Sequence, residues 1–177
     1  MNIKDNLTKR GYHIFPNICA PSQIDGLMNA LNRMNTRRTP LNEKNHSVWW
    51  EEINIPPSSP LTAIILDESL KNQIESEFSL IRDTVFWANR YNLGEYIPKH
   101  RDTQGDLQII LPVLLPPSNC GGKLVIHHPN GINEVFQSIG QRLLFQATQT
   151  THETIPITNS IECLKPVRLV CVARIFF

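Results

Sequence analysis

The 177-residue chain is 41% apolar and 19% charged, the balance of an ordinary globular protein, which excludes intrinsic disorder. Its formal net charge is +1 and its only adjacent basic pairs are Lys9-Arg10 and Arg37-Arg38, which excludes nucleic acid or an anionic membrane as the main partner. The length suits one domain able to bury its core without staples.

The N-terminal stretch MNIKDNLTKRGYHIF lacks the apolar segment of a signal peptide, and no run approaches eighteen apolar residues. Cys19, Cys120, Cys163 and Cys171 are scattered, with no C-x-x-C pair. The expectation is a cytoplasmic protein with reduced cysteines, Cys171 being a buried thiol among apolar neighbours. GYHIFPNIC (11–19) predicts a short strand interrupted by Pro16. Pro21 then opens a helix, a position where its missing N–H goes unused. Ile24, Leu27, Met28, Leu31 and Met34 form that helix's apolar stripe. Residues 35–48 are polar and read as a loop, and the prolines of SVWWEEINIPPSSP end any regular element there. Asp67 is placed to cap a second helix whose apolar face is Leu70, Ile74, Phe78 and Ile81.

After Arg82 the texture changes. VFWANRY, LQIILPVLL, GKLVIHH, NEVFQSI, QRLLFQA, ETIPIT and VRLVCVARIFF are short, β-rich and separated by turn residues. The organisation predicted is a single domain over 1–177: a helical support region with a short strand over 1–84, and a β core over 85–177. The fold class is mostly β with N-terminal helices, a sandwich or barrel with the helices packed on one face.

The stretch KHRDT (99–103) carries the chemistry. In an extended segment His100 and Asp102 share one face, opposite Lys99 and Arg101. An imidazole and a carboxylate are two thirds of a 2-His-1-carboxylate site, which suits Fe(II) and leaves coordination positions open. The third ligand must be a distant histidine. His152, at the start of the strand in TTHETIPIT, is the best placed; His127 and His128, ending GGKLVIHH, are alternatives. His13 reads as structural and His46 as solvated. Trp87, Asn89 and Tyr91 alternate along one strand and share a face. Trp87, Asn89 and His128 are the candidate substrate contacts. Trp49 and Trp50 are adjacent and cannot face the same way, so one is at a pocket mouth or in the core. Gly121-Gly122 predicts a tight turn with positive φ, either lining the mouth of the site or simply connecting two strands.

In order, Tyr91-x-x-Gly94, His100-x-Asp102-Thr103, the strand, loop and paired glycines of LPVLLPPSNCGGKLVIHH, Gly140-Gln141-Arg142-Leu143-Leu144-Phe145, His152-Glu153-Thr154-Ile155-Pro156-Ile157 and Arg168-Leu169-Val170 make a specific set. This set, over residues 85–177, resembles the iron- and 2-oxoglutarate-dependent oxygenases, in particular the prolyl 4-hydroxylase-like group. The resemblance implies a double-stranded β-helix, or jelly roll. It implies Fe(II) held by His100, Asp102 and His152, with 2-oxoglutarate as co-substrate and O2 as oxidant. Arg168 matches the residue that pairs with the far carboxylate of 2-oxoglutarate, and Tyr91 a tyrosine that hydrogen-bonds the same group. The spacing from His152 to Arg168 is longer than usual, which leaves Lys165 and Arg174 as other candidates for that pairing. The implied reaction hydroxylates a C–H bond of an amino acid, peptide or related small molecule, releasing succinate and CO2. Asp102 favours hydroxylation over halogenation, whose enzymes lack this carboxylate; desaturation, cyclisation and a non-catalytic jelly-roll binding module are the alternatives.

Overall fold

A computed structural model describes residues 2–40, 49–159 and 166–177. The described strands are β1 (His13–Ile18), β2 (Arg37–Pro40), β3 (Trp49–Ile55), β4 (Asp83–Tyr91), β5 (Leu107–Leu114), β6 (Leu124–His128), β7 (Gly131–Val135), β8 (Gln141–Gln146), β9 (Thr151–Thr154) and β10 (Arg168–Phe176). They form a seven-stranded sheet in the order β1-β8-β5-β10-β4-β3-β2 and a three-stranded sheet in the order β7-β6-β9. Every pairing is antiparallel. Two facing antiparallel sheets supported by N-terminal helices are the mostly β jelly roll expected from the sequence. His46, Cys163 and Lys165 lie outside the described residues.

Strand β10 shows why the large sheet is buried on both sides. Leu169, Cys171, Ala173 and Ile175 point to one face and join a core with Leu27, Leu31, Ile53, Ile55, Ile65 and Ile74. Val170 and Val172 point to the other, with Tyr91, Ile110, Leu124, Ile126, Leu143 and Phe145. A strand covered on both faces needs no polar alternation, hence the apolar run RLVCVARIF. The outer face is covered by α1 (Ile3–Arg10), α2 (Pro21–Leu31), α3 (Thr62–Ile65) and α4 (Glu68–Glu77). Pro21 opens α2, and its predicted stripe packs inward through Ile24, Leu27 and Leu31. Asp67 caps α4 by accepting from the Leu70 N–H at 2.9 Å. The same carboxylate receives Arg142 at 2.8 Å, and Arg142 also donates to the Ile64 and Ile65 carbonyls, tying both helices to β8. Cys171 is a buried free thiol as expected, and burial raises its pKa.

Several local expectations are corrected. The polar loop predicted over 35–48 contains β2, whereas the prolines after Ile55 end β3 as expected. β3 pairs with β4, with Glu52 opposite Asn89. Pro16 does not break β1, because β1 is an edge strand and its register shifts between Ile14 and Ile18. α1 has no counterpart in the sequence reading. It is capped by Asn2 and by the Glu77 carboxylate, which accepts from the Ile3 and Lys4 N–H groups at 3.0 Å each. α4 ends at Glu77, though Phe78 and Ile81 still pack against the core. β9 stops at Thr154, before Pro156, which has no N–H to donate. No described helix is long and apolar enough to cross a membrane.

Candidate metal centre

The segment between β4 and β5 carries His100 and Asp102, and β9 carries His152. One antiparallel rung joins them: each histidine N–H donates to the other's carbonyl at 2.9 Å. The two rings stand 4.3 Å apart between centroids. His100 Nδ1 lies 2.7 Å from the Pro98 carbonyl, and His152 Nδ1 lies 3.1 Å from the Thr150 carbonyl. A carbonyl only accepts, so each Nδ1 carries the proton and each Nε2 keeps a free lone pair. His100 Nε2 is 3.8 Å from Asp102 Oδ1, and His152 Nε2 is 3.9 Å from Asp102 Oδ2. One ligand atom from each of the three residues falls within 4.8 Å of the others. Burial first, and then His100, push the His152 pKa down to about 4, against smaller opposing effects of the Thr150 carbonyl and Asp102. His152 is therefore neutral at physiological pH, the form that binds a metal. Two imidazole Nε2 atoms turned toward one another and a carboxylate whose buried Oδ2 has no hydrogen-bond partner fit a 2-His-1-carboxylate iron site.

A cavity of about 350 Å³ opens between the sheets at this point. The large sheet supplies Trp50 and Glu52 from β3, Trp87, Asn89 and Tyr91 from β4, and Arg168, Val170, Val172 and Arg174 from β10. Among the described residues, the buried side-chain polar atoms without a partner are Trp50 Nε1, Asn89 Oδ1, Asp102 Oδ2 and Arg168 Nε. All four belong to residues lining this cavity. Buried polar atoms are normally paired, so their concentration here marks a place built to receive other groups.

Arg168 is 2% exposed and sits directly across from Tyr91, its guanidinium 5.1 Å from the centre of that ring. Burial lowers its pKa, and Tyr91 offsets part of that. Burial in turn raises the Tyr91 pKa, against Arg168 and hydrogen bonds with Thr154, Asn89 and Arg168. Tyr91 is thus a neutral phenol, and Arg168 a buried cation with no carboxylate beside it among the described residues. An unpaired buried charge is costly, so an anion fits this position. Arg174 is different: it is ion-paired with Asp102 at 2.6 Å.

Trp87 and Asn89 line the cavity as their alternation suggests, and Trp50 lines it too. His128 does not. It lies two residues beyond the inward-facing Ile126, past the end of the cavity and against Gly11 at the end of α1. There it lines a separate hollow with Leu7, Pro129 and Gln149. His127 turns to Glu153 at 2.7 Å, and His13 to Asn6 at 2.8 Å. Gly121 and Gly122 both have φ +70, and a Cβ on Gly121 would come within 2.1 Å of the Pro156 carbonyl oxygen. They lie beside Arg168 in an adjoining hollow, so the tight turn lets the chain pass close behind that arginine. Glu52, Gln108 and Thr154 also line the cavity and were not singled out from sequence. Gln108 left one signal, a lone polar side chain in the apolar run LQIILPVL.

No family model matches the sequence, and no curated protein matches it. Solved structures do. A Pseudomonas putida prolyl-4-hydroxylase superposes with a TM-score of 0.78 at 16% identity, over 99% of this chain and 97% of that one. An oxidoreductase of the 2-oxoglutarate-Fe(II) oxygenase family from Burkholderia pseudomallei gives 0.74 at 12% identity, over 98% and 91%. A prolyl hydroxylase from Trichoplax adhaerens, in complex with a hypoxia inducible factor oxygen degradation domain peptide fragment, gives 0.74 at 16% identity, over 98% and 87%. The chain has the fold of these proteins along nearly its whole length.

Proposed function

We propose that this protein is an Fe(II)- and 2-oxoglutarate-dependent oxygenase that hydroxylates a C–H bond of an amino acid, a peptide or a related small molecule, with release of succinate and CO2. One observation carries the reading: His100, Asp102 and His152 converge on the cavity that also holds Arg168, a buried cation without a counter-ion among the described residues. The fold shared with prolyl hydroxylases and a 2-oxoglutarate-Fe(II) oxygenase supports it, and the peptide held by the Trichoplax protein supports a substrate of that size.

His100, Asp102 and His152 would hold the iron, which with 2-oxoglutarate and O2 supplies the oxidising chemistry through oxidative decarboxylation of the co-substrate. The Pro98 and Thr150 carbonyls keep both Nδ1 atoms protonated, so the Nε2 atoms stay available at the cavity. Arg168 receives the far carboxylate of 2-oxoglutarate with its planar fork, beside the Tyr91 hydroxyl. Ile110, Leu124, Val170 and Val172 give the cavity an apolar lining that excludes water. Trp50, Glu52, Trp87 and Asn89 lie together on β3 and β4 and face the substrate.

The test is succinate release from 2-oxoglutarate with Fe(II) and O2, comparing the wild type with His100→Ala and Asp102→Ala. Both variants are expected to lose at least about a hundredfold, as for loss of a ligand that holds the metal. Equal turnover in all three proteins would remove the ligand assignment.

A further inference from the structure

The geometry points to a task for Arg174: it is a positioning residue that holds Asp102 so that only one carboxylate oxygen faces the metal. This inference rests on reading His100, Asp102 and His152 as a metal site. Arg174 shares the inner face of β10 with Arg168, yet the two arginines are used differently. Its Nη2 lies 2.6 Å from Asp102 Oδ1. Its Nε donates to Gln108 Oε1 at 3.1 Å, and Nη2 reaches the same oxygen. The guanidinium stands 5.0 Å from the centre of the Trp87 ring. Its aliphatic arm crosses Gly105, where a Cβ would fall 2.5 Å from Arg174 Cγ. Gly105 has φ +84, so both the space and the backbone at that position call for glycine. The fork is thus held by a strand neighbour, an indole face and a glycine before it touches Asp102.

The two oxygens of Asp102 become inequivalent as a result. Oδ1 is ion-paired with Arg174 at 2.6 Å and lies 3.8 Å from His100 Nε2, whereas Oδ2 is buried, has no hydrogen-bond partner among the described residues and lies 3.9 Å from His152 Nε2, so Oδ2 is the oxygen left free for an ion. A carboxylate free to turn could give both oxygens to one ion and fill a further coordination position. Arg174 prevents that and keeps the position open.

Charge and geometry predict opposite outcomes. A guanidinium beside a cation site repels the ion, so if only its charge mattered, removing it would tighten metal binding. If the fork orients the ligand, removing it weakens binding despite the relieved repulsion. Co(II) replaces iron as the probe, because its visible d–d absorption reports coordination without turnover. Arg174→Gln is expected to bind Co(II) about 10- to 100-fold more weakly than wild type, with an altered d–d spectrum. Arg174→Lys keeps the charge but not the fork, and is expected to show the altered spectrum too. Gln108→Leu leaves Arg174 and its charge in place while removing the far anchor, so it tests the idea should Arg174→Gln not fold; it is expected to weaken Co(II) binding and change the spectrum. At saturating Co(II), the 2-oxoglutarate affinity of Arg174→Gln stays near that of wild type, because Arg174 positions Asp102 and does not bind the co-substrate. Wild-type affinity and spectrum in Gln108→Leu, tighter Co(II) binding in Arg174→Gln, or loss of 2-oxoglutarate binding in the Co(II)-saturated variant overturns the inference. Failure of the wild type itself to bind Co(II) overturns the metal-site reading and the inference with it.

Discussion

Replacing Arg168 by methionine is expected to move stability and co-substrate binding in opposite directions. The side chain is 2% exposed and its Nε has no partner. Replacing buried ion pairs by apolar side chains of similar volume ranges from neutral to stabilising by about 1–4 kcal/mol, and a lone buried charge has no partner to offset its desolvation. The Tyr91 ring under the guanidinium offsets about 1 kcal/mol of that. The net gain for the metal-free, co-substrate-free protein is then roughly 0–3 kcal/mol, or a Tm rise of up to about 12 °C for a chain of this length. Binding goes the other way. Two charge-assisted hydrogen bonds from the fork contribute about 1.5–3 kcal/mol each. Their loss weakens 2-oxoglutarate binding by about 10²- to 10³-fold at the low end of that range, since about 1.4 kcal/mol is tenfold. The assay pairs thermal unfolding of the unloaded protein with calorimetric titration of 2-oxoglutarate into Mn(II)-loaded protein. Unchanged 2-oxoglutarate affinity in Arg168→Met would refute the anchor. A fall in Tm would refute the premise that the charge is uncompensated without ligand.

Two further outcomes follow from other parts of the molecule. His152 has a folded pKa of about 4, below its ordinary value of 6.5, so in that interval the unfolded chain binds a proton that the folded one does not. The metal-free protein therefore keeps this contribution above pH 6.5 and loses about 2–3 kcal/mol as pH falls from about 6.5 to about 4, read by urea unfolding across that range; His152→Gln should flatten the slope, and an unchanged slope would contradict it. Arg142→Ala strands the Ile64 and Ile65 carbonyls and removes the ion pair with Asp67, and is expected to cost about 3 kcal/mol in urea unfolding; a loss under about 1 kcal/mol would show that the carbonyls find other partners.

The second half of the chain was legible because its strands are short, β-branched and punctuated, and because His100 and Asp102 share a side two residues apart. The N-terminal half was harder to read for local reasons. α1 draws its second cap from Glu77, far along the chain, and buries only Ile3 and Leu7, too few for a visible period. β3 does alternate, with Ile53 and Ile55 facing the core, but Trp50 and Glu52 face the cavity and make the segment look irregular. Strand alternation put Arg168 and Arg174 on one face and had no means to tell them apart. Their three-dimensional neighbours separate them: Tyr91 beside Arg168, and Asp102, Gln108 and Trp87 beside Arg174. His128 misled because alternation gives the side of a strand correctly but not where along it the cavity ends.

The rung between His100 and His152 bears on what an arriving ion has to do. In a flexible chain, a metal joining two distant histidines must pay the entropy of closing the loop between them. Here that ring is closed by two backbone hydrogen bonds, and a neighbouring rung from the Thr154 N–H to the Ile97 carbonyl closes it again. An ion would have only to satisfy side chains already facing one another. Metal loss and reloading would thereby be separated from folding, unlike a zinc finger, where binding and folding are one event.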